Sequence, residues 1–97
     1  MHIGVCRISA HLPVATNLKE KRQVVRSLTA RLRNQFNVAV AEVDHNDLWQ
    51  RVTIGVCCIS NDTPHAHEMM SKIVSFVEEF SDDLVLLDYE TELITGV

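Results

Sequence analysis

Apolar and polar residues alternate along "HIGVCRISAHL" (residues 2–12). Cys6, Ile8, Ala10 and Leu12 fall on one side of an extended chain, and Arg7, Ser9 and His11 on the other. That period predicts a strand, closed by Pro13. The period then changes: Leu18, Val25, Leu28, Leu32 and Phe36 keep helical spacing and predict a helix over 18–36. Asn17 is its expected N-cap, with Glu20 three positions on in a variant of the capping box. "NVAVAEV" and "RVTIGVCCIS" return to strand patterns, with Val52, Ile54, Val56 and Cys58 sharing one face, and the polar "DHNDLWQ" between them reads as a hairpin connection. Thr63 is the expected cap of a second helix whose first position is Pro64, where the missing N–H costs nothing. Ala66, Met69, Met70, Ile73, Val77 and Phe80 form its buried stripe. "LVLLDYETELI" predicts a fourth strand, with Val85, Leu87, Tyr89 and Leu93 on one face and Asp88, Glu90 and Glu92 on the other.

The order is strand, helix, strand, strand, helix, strand. Right-handed crossovers in both halves then place two helices on one face of a four-stranded antiparallel sheet. The expectation is an α+β, ferredoxin-like βαββαβ sandwich, a single domain over 1–97, with strands one and three central. Its bare face would carry Arg7, Ser9, His11, Arg51, Thr53, Asp88, Glu90 and Glu92.

Composition changes this picture little. Ninety-seven residues are enough for one core without staples. No apolar run approaches a membrane span, and the opening residues lack the features of a signal peptide. Three cysteines, two of them adjacent, suit reduced thiols in a cytoplasmic protein. Charge changes it more. The net −4 divides unevenly: residues 1–37 hold seven Lys and Arg against one acid, and residues 38–97 hold two against twelve. A molecule of two signs implies an anionic partner for one side, or self-association through opposite patches.

Three motifs then carry a resemblance. "LKEKR" opens helix one, "RLRNQFNVAVAEVDHNDLWQR" runs from its end through the hairpin, and "ISND" precedes helix two. Together they resemble the YlxP-like family of small bacterial proteins, over nearly the whole chain. The resemblance implies the same ferredoxin-like fold. It also implies a ribosomal or RNA partner, since genes of that family often lie beside those of translation initiation and ribosome maturation factors. It supplies no activity and no catalytic residue.

The candidate chemistry lies mainly on helix one. At about 100° per residue, Lys19, Arg22, Arg26 and Arg33 share a stripe roughly 60° wide and about 21 Å long. Lys19, Lys21 and Arg22 crowd the N-terminal end, where the helix dipole disfavours each cation by roughly 0.3–1 kcal/mol. A bound phosphate reverses that cost and uses the free N–H groups there; a solvated face of long side chains is the plainer account. Trp49 is the only tryptophan, placed to stack on a base or anchor a partner, or else to fold back on the sheet. Glu42, Asp44, His45 and Asp47 raise a hard-metal or acid–base site, but turns favour such residues for local bonding. The bare face offers no aromatic on its central strands, which argues against base stacking there, and Arg7 is placed to pair with Asp88 or Glu90.

No nucleophile, metal or cofactor motif completes itself, so the expected protein is not an enzyme and needs no cofactor. The leading expectation is a cytoplasmic module docking structured RNA or a ribosomal subunit through Lys19, Lys21, Arg22, Arg26 and Arg33, with Trp49 and Arg51 as secondary contacts. Four phosphate contacts give a log–log salt slope of about −2.8. The alternative is a homodimeric protein–protein module with no nucleic-acid role. Neither expectation involves a membrane.

Overall fold

The computed structural model describes residues 1–97. The elements follow the expected order: β1 (His2–His11), α1 (Leu18–Gln35), β2 (Ala39–Asp44), β3 (Arg51–Ser60), α2 (Thr63–Glu78) and β4 (Val85–Ile94). One antiparallel sheet runs β2-β3-β1-β4, with β3 and β1 central. Both helices lie on one face, so the chain has a ferredoxin-like α+β fold. α1 packs on the β2 side, and α2 covers β1 and β4.

The core lies between sheet and helices. β1 contributes Cys6, Ile8 and Ala10, β3 contributes Val52, Ile54 and Val56, and the helices answer with Leu28, Leu32, Ile73 and Val77. Burial raises the Cys6 thiol to about 11, since an anion there would be desolvated. Phe36 and Phe76 close the far end of the helix pair edge to face, 5.9 Å between centroids.

α1 begins as expected: Asn17 Oδ1 accepts from the Glu20 N–H at 2.9 Å. The Glu20 carboxylate returns to Asn17 Nδ2 and the Thr16 hydroxyl rather than to the N-cap backbone. α2 starts one residue earlier than expected. Asp62 is its N-cap, Thr63 is helical, and no side chain caps it.

Two bulges change what alternation alone implies. Between Ser9 and Ala10 the β1–β4 register slips, so Ala10 faces Leu86 while Ser9 faces Asp88. Leu86 therefore packs against the core, and Val85 and Leu87 are exposed. The expected shared face of Val85, Leu87, Tyr89 and Leu93 is corrected: an extra residue at Leu87 breaks the pleat. The second slip lies between Glu42 and Asp44. Here Val43 swings over Gly55, where a Cβ would meet Val43 Cγ1 at 3.1 Å.

Candidate functional site

The second bulge decides the fate of the acidic group in the hairpin. Glu42 pairs with Ile54 on the helix side of the sheet, while Asp44 pairs with Thr53 on the open side. An uninterrupted strand would have kept both carboxylates on one face. Asp44 instead bonds Arg7 across the sheet at 3.2 Å. The expected partners Asp88 and Glu90 on β4 make no ion pair with Arg7, although Glu90 sits directly opposite it. No three His, Cys, Asp or Glu side chains converge on a point that could hold a metal.

Glu42 faces inward because Lys21 is there. The Lys21 side chain is 0 % exposed, and its Nζ donates to the carbonyls of His45 at 2.6 Å and Asn46 at 3.2 Å. Glu42 Oε2 lies 2.8 Å from the same nitrogen. That oxygen makes no aligned hydrogen bond, so it neutralises the ammonium by proximity. Lys21 is thus no surface cation. Its place in an anion-binding set is corrected: the charge is already consumed by one carboxylate and two carbonyls. The pattern contained the clue, because Leu18, Lys21, Val25, Leu28 and Leu32 step by three and four along the buried side of α1.

This latch fixes the whole end of the molecule. His45 adopts φ 61°, the left-handed region uncommon for a non-glycine. Its N–H is held by Asp44 Oδ1 and its carbonyl also closes the turn to the Leu48 N–H. The His45 Nδ1 lies 2.7 Å from the fully buried Thr53 hydroxyl, which in turn contacts Ser9. Gln50 ties the other side of the loop to the carbonyls of Pro13 and Ala15.

The remaining cations of α1 divide by what they touch. Lys19, Arg22 and Arg26 are exposed and belong to no ion pair. Arg33 is exposed but donates to the Val40 carbonyl at 2.8 Å. Arg31 lies over the Phe80 ring, 5.6 Å from its centroid. Trp49 is 52 % exposed on the latched loop. Arg51 is not brought to this group. It sits opposite His11 on the open side of the sheet, away from α1, with a buried Nε that has no partner. It was expected as a secondary contact with Trp49; the two are neighbours in sequence, but the strand register turns Arg51 to the open side of the sheet.

A family model described as "Protein of unknown function (DUF503)" matches residues 3–91, and the chain belongs to that family. It is 29 % identical over 80 residues to the uncharacterized protein YlxP of Bacillus subtilis (strain 168), covering 82 % of this chain and 87 % of the relative. The resemblance carried by the α1 and hairpin motifs is therefore a family relationship. The de novo designed protein Foldit4 superposes over 100 % of both chains with a TM-score of 0.55 at 10 % identity, a likeness of fold alone. No helix is long and apolar enough to cross a membrane.

The latch predicts a sharp contrast among neighbours. Lys21→Met strands the Glu42 carboxylate and should cost about 3–5 kcal/mol in urea unfolding, whereas Lys21→Met with Glu42→Leu should recover most of that loss. Lys19→Met should stay within about 0.5 kcal/mol of wild type. A Lys21→Met chain as stable as wild type would show that the latch is ornamental.

Asp44 supplies a pH dependence. The His45 backbone N–H and ring, and then Arg7, hold its carboxyl below the ordinary 3.8. A depressed pKa stabilises the fold above the unfolded value and loses that contribution as pH falls through the folded one. Acid unfolding of Asp44→Asn should therefore be less steep below the ordinary carboxyl pKa than that of wild type. Identical acid limbs would remove Asp44 from the account.

Proposed function

We propose that this DUF503 protein is a non-enzymatic binding module that docks the phosphates of structured RNA, such as that of a ribosomal subunit, through α1. The carrying observation is the exposed, unpaired stripe of Lys19, Arg22 and Arg26, on a chain whose other α1 cations are all engaged. Unpaired cations spread over about 10 Å of the helix match successive phosphates better than a point ligand. The helix N-terminus contributes less than its position implies, because Asn17 already takes the Glu20 N–H and the Glu20 carboxylate sits beside it. Trp49, on the loop that Lys21 ties to α1, is the adjoining stacking surface. Arg33 is a shared contact, half committed to β2.

Three contacts, rather than four or more, lower the expected salt response to a log–log slope of about −2. In co-sedimentation with ribosomal subunits at low and moderate salt, wild type should pellet with one subunit. Lys19→Ala with Arg22→Ala should release it and reduce the slope to about −0.7. An unchanged slope, or no pelleting of either folded protein, would sink the α1 footprint.

A homodimeric module is the second reading, favoured by one feature of the open sheet face. Ile94, Ile3 and Ile59 stand side by side across three strands there, with Ile59 and Ile94 exposed. Such a row supports association through apolar contact, so a dimer of this kind should persist in sedimentation velocity as salt rises. Dissociation by salt would instead assign it to charge pairing, and a monomer throughout would end the reading.

A further inference from the structure

The two edges of the sheet are finished differently. β2 is six residues long, broken by the Val43 bulge, and its Val40 carbonyl is bonded by Arg33. Those are the usual protections of a strand edge. β4 is ten residues long and pairs only with β1. No side chain bonds any of its carbonyls, and the one side-chain bond to its N–H groups is Asp88 to its neighbour Tyr89 at 2.8 Å. After the Leu87 bulge the register with β1 is regular from Asp88 to Ile94. Apart from the Tyr89 N–H, the free side of that stretch is a template of unused donors and acceptors.

A groove runs beside it on the helix side. Two adjoining hollows, about 510 and 380 Å³, lie between α2 and β4 and meet at Tyr89 and Glu78. Leu84 and Leu86 line one hollow, Met70 and Val74 the other. Tyr89 and Thr91 line the groove, while Asp88, Glu90 and Glu92 belong by register to the opposite face of the same strand, none in an ion pair; Asp88, its carboxylate turned to the Tyr89 N–H, also borders the first hollow. The chain beyond Lys72 has seven carboxylates and no Lys, Arg or His.

We propose that the β4 edge receives an extended basic segment of a partner protein as a fifth strand. The backbone supplies the hydrogen bonds, and the two faces of β4 specify the sequence. On a paired strand, the residues opposite Asp88, Glu90 and Glu92 lie on their face and would be Lys or Arg. The alternate residues enter the α2–β4 groove beside Tyr89 and Thr91 and would be apolar or β-branched. The same acids select against a second copy, because a β4–β4 pairing sets carboxylates against carboxylates. They also exclude nucleic acid from this flank. The inference is independent of the α1 reading, whose cations lie on the β2 side of the molecule.

The probe is an end-blocked peptide of about ten residues alternating lysine and valine, long enough to span the strand. Calorimetric titration of the full-length chain should show binding, with amide exchange slowed in Asp88–Glu92. A peptide with glutamate for lysine should not bind. N-methylation of two outward amides of the lysine peptide should weaken it about tenfold or more, since it deletes hydrogen bonds while keeping charge. Glu90→Lys with Glu92→Lys should lose the lysine peptide by about tenfold or more and gain the glutamate one. The proposal is overturned if the N-methylated peptide binds as well as its parent, if protection appears away from β4, or if the peptide dissociates a β4-paired dimer already present. The peptide comparisons use unaltered protein, so they decide the matter even where the double substitution perturbs folding.

Discussion

One ammonium group organises the hairpin end of this fold. Lys21 sits where a leucine would sit in an ordinary amphipathic helix, and burying its charge demands oxygen on every side. Glu42 answers from β2, and the His45 and Asn46 carbonyls answer from the hairpin. For those carbonyls to reach it, the chain must turn at His45 through the left-handed region. For Glu42 to face it while Asp44 meets Arg7, the strand must bulge between them. Helix start, bulge, turn and loop position are thus parts of one electrostatic solution, and Lys19 and Arg22 are left outside it.

The same division arranges charge over the molecule. α1 lies toward β2 and brings its free cations to that flank, while the end of α2, the turn after it and β4 carry seven acids and no cation beyond Lys72 to the other. The two central strands separate the β2 edge from the β4 edge, so the two fields do not cancel in the folded chain. An overall pI near 5.6 describes neither flank. Partners of opposite sign can therefore approach one small domain without competing for the same surface.

Most of the architecture was legible from periodicity. Alternation in "HIGVCRISAHL" and the three–four spacing of Leu18 to Leu32 located β1 and α1, and the order of periods located the rest. What alternation could not express was an interrupted pleat. A bulge leaves residue types unchanged and exchanges their faces, which is why Glu42 and Asp44 separate and why Leu86 rather than Leu87 reaches the core. Lys21 was legible by position and obscured by type: its spacing placed it with Val25 and Leu28, but a lysine is rarely fully buried. At α2, Asp62 and Thr63 are both competent caps, and since neither side chain bonds the helix end, composition had nothing to distinguish them.

The chain's single tryptophan has a consequence for how this protein can be watched. Trp49 is on the latched loop rather than in the core, and Tyr89, the only tyrosine, lies at the far edge beside the groove. Indole emission therefore reports on the hairpin and its surroundings, with little sensitivity to the packing of Leu28 or Ile73. A ligand seated against α1 and a ligand seated on β4 would alter different chromophores. The fold carries its own two-colour optical label, one for each flank.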